Sequence, residues 1–395
     1  MSTLPLYDPL DPAVIASPYE AYDALRDRSP FWNAALSCWV VMKYDDCVNL
    51  LKDTQTFASD WRLAGIEAED EPGESLGIQS LDGSEHSRLR SSFTQAMKTV
   101  GESNRAQTGV RASTRARLHA VSSSGRIFDF VAAIARPVAL EAVCRVLGIQ
   151  VPDEASFAEL AEDLVRGMDA GLIPERAEPA QRAKERLNFL IEEWSRFPFR
   201  AESSGVLRKT LDSAPSLAIP EDQVVSTARQ LFLAGYSTTV AAAANVMLAI
   251  SSDSDLGQLL QQDSRLIPAT VEELLRLDGP VQGTSRAVTS STVLGHVLMQ
   301  RGDVVLCLFG AANRDPGAFR DANTLDVRRQ GRGRHLGFGW GPHACTGAVL
   351  ARDIIQVLVE EVLAVGLPTL VGMVSRVPRA TLRYPDRLPL RMEPQ

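Results

Sequence analysis

A chain of 395 residues with 45 % hydrophobic content is long and apolar enough to bury a sizeable core. Its formal net charge of −8 excludes nucleic acid as a general partner, because that binding needs a cationic surface. Cysteines at 38, 47, 144, 307 and 345 are odd in number and lack paired ligand spacing, which excludes a disulfide scaffold or a zinc module and fits a reducing, cytoplasmic compartment.

The segment from Met1 to Pro12 has neither a basic region followed by an apolar run nor a membrane-length stretch, so no membrane association is expected. Pro18 to Arg26 reads as a helix, Cys38 to Met42 as a strand and Tyr44 to Leu51 as a second helix. Phe57 to Ser84 is a long loop rich in Gly, Glu and Asp, of a length that is usually functional. Leu81-Asp-Gly-Ser-Glu-His-Ser-Arg-Leu-Arg90 opens a helix that continues through Met97 and places His86 and Arg90 on one face. Helices follow at 155–166, 181–197 and 221–250, with an irregular stretch at 167–179 that reads as a movable lid. No internal repeat or composition break divides the chain. The class expected is mainly α with small β sheets, in one unit spanning 1–395.

Within the longest apolar run lies Gln230-Leu-Phe-Leu-Ala-Gly-Tyr-Ser-Thr-Thr-Val240. Thr238 falls four residues after Ala234, so its hydroxyl can bond that carbonyl and open the helix locally. Small side chains at Ala234 and Gly235 then leave a groove. The plain alternative is a core helix whose threonines only back-bond. Farther on, Glu273 and Arg276 form an i, i+3 pair in a helix ending at Gly279-Pro280, a pattern that alone describes a solvated face. Gln282-Gly-Thr-Ser-Arg286 reads as a strand, and Arg328, Arg329, Arg332 and Arg334 crowd the stretch just before His335.

The stretch Phe338-Gly-Trp-Gly-Pro-His-Ala-Cys-Thr-Gly347 presents Cys345 from a glycine-rich turn ahead of an apolar helix. Gly339, Gly341 and Gly347 allow positive φ and close approach of a flat group. A cysteine at a helix N-terminus is placed to be a stabilised thiolate and a metal ligand. The same residues also fit a buried structural cysteine.

The spacing Phe-x-x-Gly-x-His-x-Cys-x-Gly resembles the haem-binding loop of the cytochrome P450 family, whose cysteine ligation is a recognised mode of haem attachment. The resemblance spans roughly His86 to the C-terminus, and the first 80 residues more loosely. It implies the P450 fold, with haem b held by Cys345 as axial iron ligand. Phe338 and Gly339 would pack near it, and His343, His86, Arg90 and Arg286 would face the haem propionates. Glu273, Arg276 and Arg328 would form a buried network on the proximal side. Ala234, Gly235 and Thr238 would form the dioxygen groove, and Ser237 stands where the family usually has an acid of the proton relay. The pocket would be lined by Gln230, Leu233, Gln282, Thr284 and Leu382, under a roof made by the loop that starts at Phe57.

The implied activity is a monooxygenase using dioxygen and electrons from a ferredoxin and ferredoxin reductase to oxidise an apolar or aromatic natural-product intermediate, most simply by hydroxylation. Oxidative coupling or cyclisation of aromatic or indole groups is the close alternative, compatible with the missing acid. A non-catalytic haem sensor or carrier is the alternative of another class. The arginines before His335, with Arg88 and Lys98, would form a basic patch that steers an acidic electron donor.

Overall fold

The computed structural model describes residues 7–66, 76–102, 105–122, 126–196, 205–376 and 378–393. Part of the predicted roof, 67–75, lies outside the described residues. The architecture is mainly α with small sheets, and the predicted helices form at Tyr19–Arg26, Tyr44–Lys52, Gly83–Glu102, Glu154–Gly167, Ala177–Arg196 and Glu221–Ser252. The helix at Glu154 starts where it does because the Asp153 carboxylate accepts the Ser156 backbone N–H, a side-chain N-cap.

Ala177–Arg196 begins earlier than its sequence indicates, because Pro179 falls in the first helical turn, where its missing N–H is not needed. The irregular stretch therefore shrinks to a turn at 168–173 and a short 3-10 helix, Pro174–Arg176. It is pinned rather than loose. The buried Asp169 carboxylate accepts from the backbone of Ala380 (3.0 Å) and Thr381 (2.9 Å) and from the Thr381 hydroxyl (2.7 Å).

Glu221–Ser252 is the axis of the main core. Its Ala241-Ala-Ala-Ala run is buried, small side chains there letting neighbouring helices approach closely. Arg136–Leu147, Ala177–Arg196, Ile267–Leu277 and Ala348–Val365 pack against it. It is long and apolar enough to cross a membrane, but 67 % of its apolar window is buried, as befits a core helix. It ends at Asp253, whose carboxylate caps the next helix by accepting the N–H groups of Asp255 and Leu256.

A five-stranded sheet runs in the order Phe31–Asn33, Cys38–Val41, Val304–Leu308, Gly283–Val288, Phe57–Ala58. Only Cys38–Val41 with Val304–Leu308 is parallel. This sheet carries Arg286, opposite Val305 in register. Leu367–Leu370, Pro389–Glu393 and Phe128–Asp129 make a second sheet, and Thr292–Leu294 with Val297–Met299 a hairpin.

The Glu273/Arg276 pair is no solvated face, since both side chains are wholly buried. Arg276 donates twice to the Glu273 carboxylate (2.9 and 2.8 Å) and also to the carbonyls of Asn313 (2.7 Å) and Ala322 (2.8 Å). The third member is Arg329, not Arg328. Arg329 is buried and donates to Glu273 (2.8 Å) and to the carbonyls of Arg320, Asp321 and Thr324, whereas Arg328 is exposed. The Arg328 backbone N–H bonds the Asp326 side chain, a turn that sends the next side chain inward. This network staples the irregular chain that leads into the cysteine loop.

Candidate active site

The cysteine loop is fixed by backbone geometry. Cys345 N donates to the Phe338 carbonyl at 2.7 Å, closing the turn across the intervening glycines. Gly339 and Gly341 have φ of +67° and +70°, and a Cβ on Gly341 would lie 2.3 Å from the Leu51 carbonyl oxygen, so only glycine fits there. Gly347 has an ordinary φ of −89° and caps the helix Ala348–Val365, which leaves Cys345 just outside the helix N-terminus.

Cys345 is open on one side and closely surrounded by protein on the others. Desolvation outweighs the Gly347 amide and the guanidiniums of Arg90 and Arg352, and the thiol is held above its usual pKa. The helix terminus alone does not make the expected thiolate. A bound metal ion would, because a coordinating thiol is deprotonated by the metal's charge.

Beneath the loop is a second, half-buried network. Arg352 lies over the Phe338 ring, 4.2 Å from its centroid, and grips Glu272 with two bonds of 2.6 and 2.8 Å. His335 Nε2 reaches the same carboxylate at 3.1 Å, while its Nδ1 accepts the Gly337 N–H at 3.0 Å. Burial opposes ionisation of Glu272, but the bonds from Arg352 and His335 prevail and hold its pKa down at about 2. The stability it contributes is therefore present above the ordinary carboxylate pKa and is lost only as pH falls through about 2.

On the central helix, Thr238 Oγ1 donates to the Ala234 carbonyl at 2.6 Å, as expected, but the helix stays α-helical through the bond rather than opening. Gln230, Leu233, Ala234, Gly235 and Thr238 are partly exposed, while Phe232, Tyr236, Ser237 and residues 239–247 are buried. The groove side is thus a half-open face. Ser237 is not on it: its hydroxyl donates to the Leu233 carbonyl at 2.8 Å. Gln230 Oε1 accepts the Gln79 N–H at 3.1 Å, so this amide braces the segment leading to His86.

The four predicted cationic or imidazole side chains divide into two kinds. Arg90 is clasped to the cysteine loop, donating to the Ala344 carbonyl (2.7 Å) and Thr346 Oγ1 (3.2 Å). His343 Nε2 is bonded to Asp82 Oδ1 at 2.8 Å, and its ring stacks on His86 with centroids 4.1 Å apart. In contrast, His86 Nε2 and Arg286 Nε are buried without a partner among the described residues. Burial, with His343 and Arg90 nearby, lowers the His86 pKa to about 4.

Leaving such polar groups unmet costs roughly 1–3 kcal/mol each, so they mark a place for a hydrogen-bonding partner. A dicarboxylate cofactor such as haem fits them.

Among the predicted pocket residues, Gln282 is otherwise engaged. Its Oε1 accepts the Tyr22 hydroxyl (3.0 Å) and its Nε2 donates to the Gly279 carbonyl (2.8 Å), so both ends of its amide are already tied to the protein. Thr284 Oγ1 accepts from Arg286 Nη1 at 3.0 Å and helps set that side chain. Leu382 is buried and bridges Val281.

Sequence reasoning missed Asp82, Glu272, His335 and Arg352. An aspartate directly before a helix ordinarily caps it. Asp82 instead accepts the N–H groups of Ser59 (2.7 Å) and Asp60 (2.9 Å), contacts across the loop that chain order does not reveal.

With this geometry in hand, comparison with known proteins is specific. The Cytochrome P450 family model matches residues 206–364. The chain is 30 % identical over 369 residues to the mycinamicin IV hydroxylase/epoxidase of Micromonospora griseorubida, covering 93 % of this chain and 89 % of the relative. It is 29 % identical over 354 residues to the 20-oxo-5-O-mycaminosyltylactone 23-monooxygenase of Streptomyces fradiae, covering 88 % and 82 %. The solved structure of CalO2 matches with a TM-score of 0.87 at 25 % identity, covering 99 % of this chain and 100 % of that one. The loop, the network beneath it and these likenesses agree: the chain belongs to the cytochrome P450 family, and it is a haem-thiolate monooxygenase that takes its electrons from a redox partner.

Proposed function

We propose that residues 1–395 act in the cytoplasm as a single unit that binds haem b and uses dioxygen and ferredoxin-delivered electrons, through a ferredoxin reductase, to hydroxylate an apolar natural-product intermediate. The observation that carries the cofactor reading is the pair of buried, unpartnered donors, His86 Nε2 and Arg286 Nε, beside the Cys345 loop. Relatives named for hydroxylating mycinamicin IV and erythromycin support the substrate class. Bound haem supplies reductive activation of dioxygen, which thiolate ligation favours.

The chain's own groups do the rest. Cys345 would supply the ligand, and His86 and Arg286 would receive the acid groups. Leu233, Ala234 and Gly235 leave room on the half-open helix face, the small residues admitting what a larger side chain would displace. Thr238 spends its proton on the Ala234 carbonyl, so its oxygen is left to accept a hydrogen bond from water or substrate.

Ser237 is buried and likewise bonded within the helix, so protons arrive through another group, water or the substrate, or the chemistry needs fewer of them. Exchange of Ser237 for aspartate introduces a carboxylate at this site. The expected result is more hydroxylated product per electron consumed, with less peroxide release. Unchanged product and peroxide yields would remove Ser237 as the determinant and, with it, the argument that the missing acid makes for oxidative coupling.

The donor surface needs adjustment. Arg329 is committed to Glu273, and the Arg332 side chain lies outside the described residues, but Arg328 and Arg334 are exposed, as are Arg88 and Lys98. Charge reversal at Arg328 and Arg334 together is expected to slow reduction by ferredoxin about tenfold at low salt, with the gap closing as salt rises. Stopped-flow reduction measures it, and substrate affinity should not move. Equal reduction rates would place the docking surface elsewhere.

A further inference from the structure

Three of the contacts around the cysteine loop converge on one carboxylate that the sequence reads as an ordinary helix start. Asp82 Oδ2 accepts the N–H groups of Ser59 and Asp60, and Oδ1 faces His343 Nε2 at 2.8 Å. The bonds to His343, Asp60 and Ser59 outweigh burial and hold the Asp82 carboxyl below the usual carboxylate range. An ionised carboxylate only accepts, so His343 Nε2 carries a hydrogen. That assignment fixes the ring. His343 then stacks on His86 at 4.1 Å with an interplanar angle of 33°, and His86 is the side chain whose Nε2 is left buried and unpartnered.

We propose that Asp82 is a positioning residue for the cofactor's acid groups: it clasps His343, and the clasped ring holds His86 so that Nε2 stays free to donate, together with Arg286 Nε. This rests on the haem reading above and changes the roles drawn from it. With Nε2 of His343 given to Asp82, only Nδ1 of that ring is left to meet a carboxylate, beside His86 Nε2 and Arg286 Nε. The arrangement parallels metal sites in which outer partners orient the inner ligands and their loss typically costs 10–100-fold in affinity. It also ties the loop at Ser59 and Asp60, the described start of the roof over the pocket, to retention of the cofactor.

The test uses the haem-loaded protein and follows transfer of its haem to excess apomyoglobin, with resonance Raman spectra recorded in the propionate-bending region. Asp82→Ala and His343→Ala are each expected to speed haem transfer roughly tenfold and to shift the propionate bands. The double variant should be no faster than either single one, because both act through one ring. Asp82→Asn serves if the alanine variant does not fold. Its carbonyl keeps the bonds to Ser59 and Asp60, but its amide sets a donor against the His343 N–H, so faster transfer is again expected.

A purely structural aspartate would lower thermal stability while leaving the propionate bands and haem transfer as in the parent, and that result overturns the proposal. Additive effects of Asp82→Ala and His343→Ala overturn it too. Failure of the parent to bind haem with a thiolate spectrum would instead be a failure of the underlying haem reading.

Discussion

Replacement of Glu273 by glutamine is expected to lower the unfolding free energy by about 3–5 kcal/mol, the range for removing one partner from a buried ionic network. Glu273 is the common acceptor for Arg276 and Arg329, and all three side chains are buried. Both guanidiniums stay charged under any ordinary condition, so a neutral amide leaves two cations facing one weak acceptor. The loss is a large fraction of the roughly 5–15 kcal/mol that stabilises a typical folded protein. The damage should spread to the cysteine loop, because Arg276 and Arg329 also hold the carbonyls of the chain between Asn313 and Thr324. Denaturant midpoints and haem content of the purified protein measure both effects. Arg328→Ala provides the contrast, with a change within about 0.5 kcal/mol, since it is an exposed surface position. A loss for Arg328→Ala equal to that for Glu273→Gln would contradict the assignment of the triad.

Exchange of Cys345 for serine is expected to abolish the thiolate spectrum and bring substrate oxidation to background, with little change in folding. Its backbone N–H, which serine retains, makes the bond to Phe338 that closes the loop. Fold and function therefore separate at this residue. A hydroxyl replaces the thiol at similar size but does not donate charge to iron as a thiolate does. Oxidation that survives the exchange would show that another group ligates the metal, and a collapse of stability would show that the residue is structural after all.

The sequence was informative where chemistry depends on local spacing. The cysteine loop is contiguous, the Thr238 bond to Ala234 spans one helical turn, and the apolar run at 221–250 is a core helix by length and pattern. Element ends were less legible. Pro179 looks like a helix breaker until its place in the first turn is known, and only then does the helix start at Ala177. Side-chain direction was the least legible property. Arg328 and Arg329 are neighbours of identical type, and which one turns inward depends on an Asp326 turn that no composition rule reports. Gln282 has the polarity of a substrate contact but is consumed by Tyr22, distant from it in the chain. Asp82 and His343 are likewise far apart in sequence, so their bond appears only when the fold brings helix start and cysteine loop together.

The most direct test of a haem-thiolate centre at Cys345 is the optical spectrum of the purified, haem-loaded protein after reduction and exposure to carbon monoxide. The structure predicts a Soret band at the long-wavelength position characteristic of thiolate ligation, absent in Cys345→Ser. A band at the shorter wavelength given by neutral or imidazole ligands, or a protein that takes up no haem when haem is supplied, would contradict it.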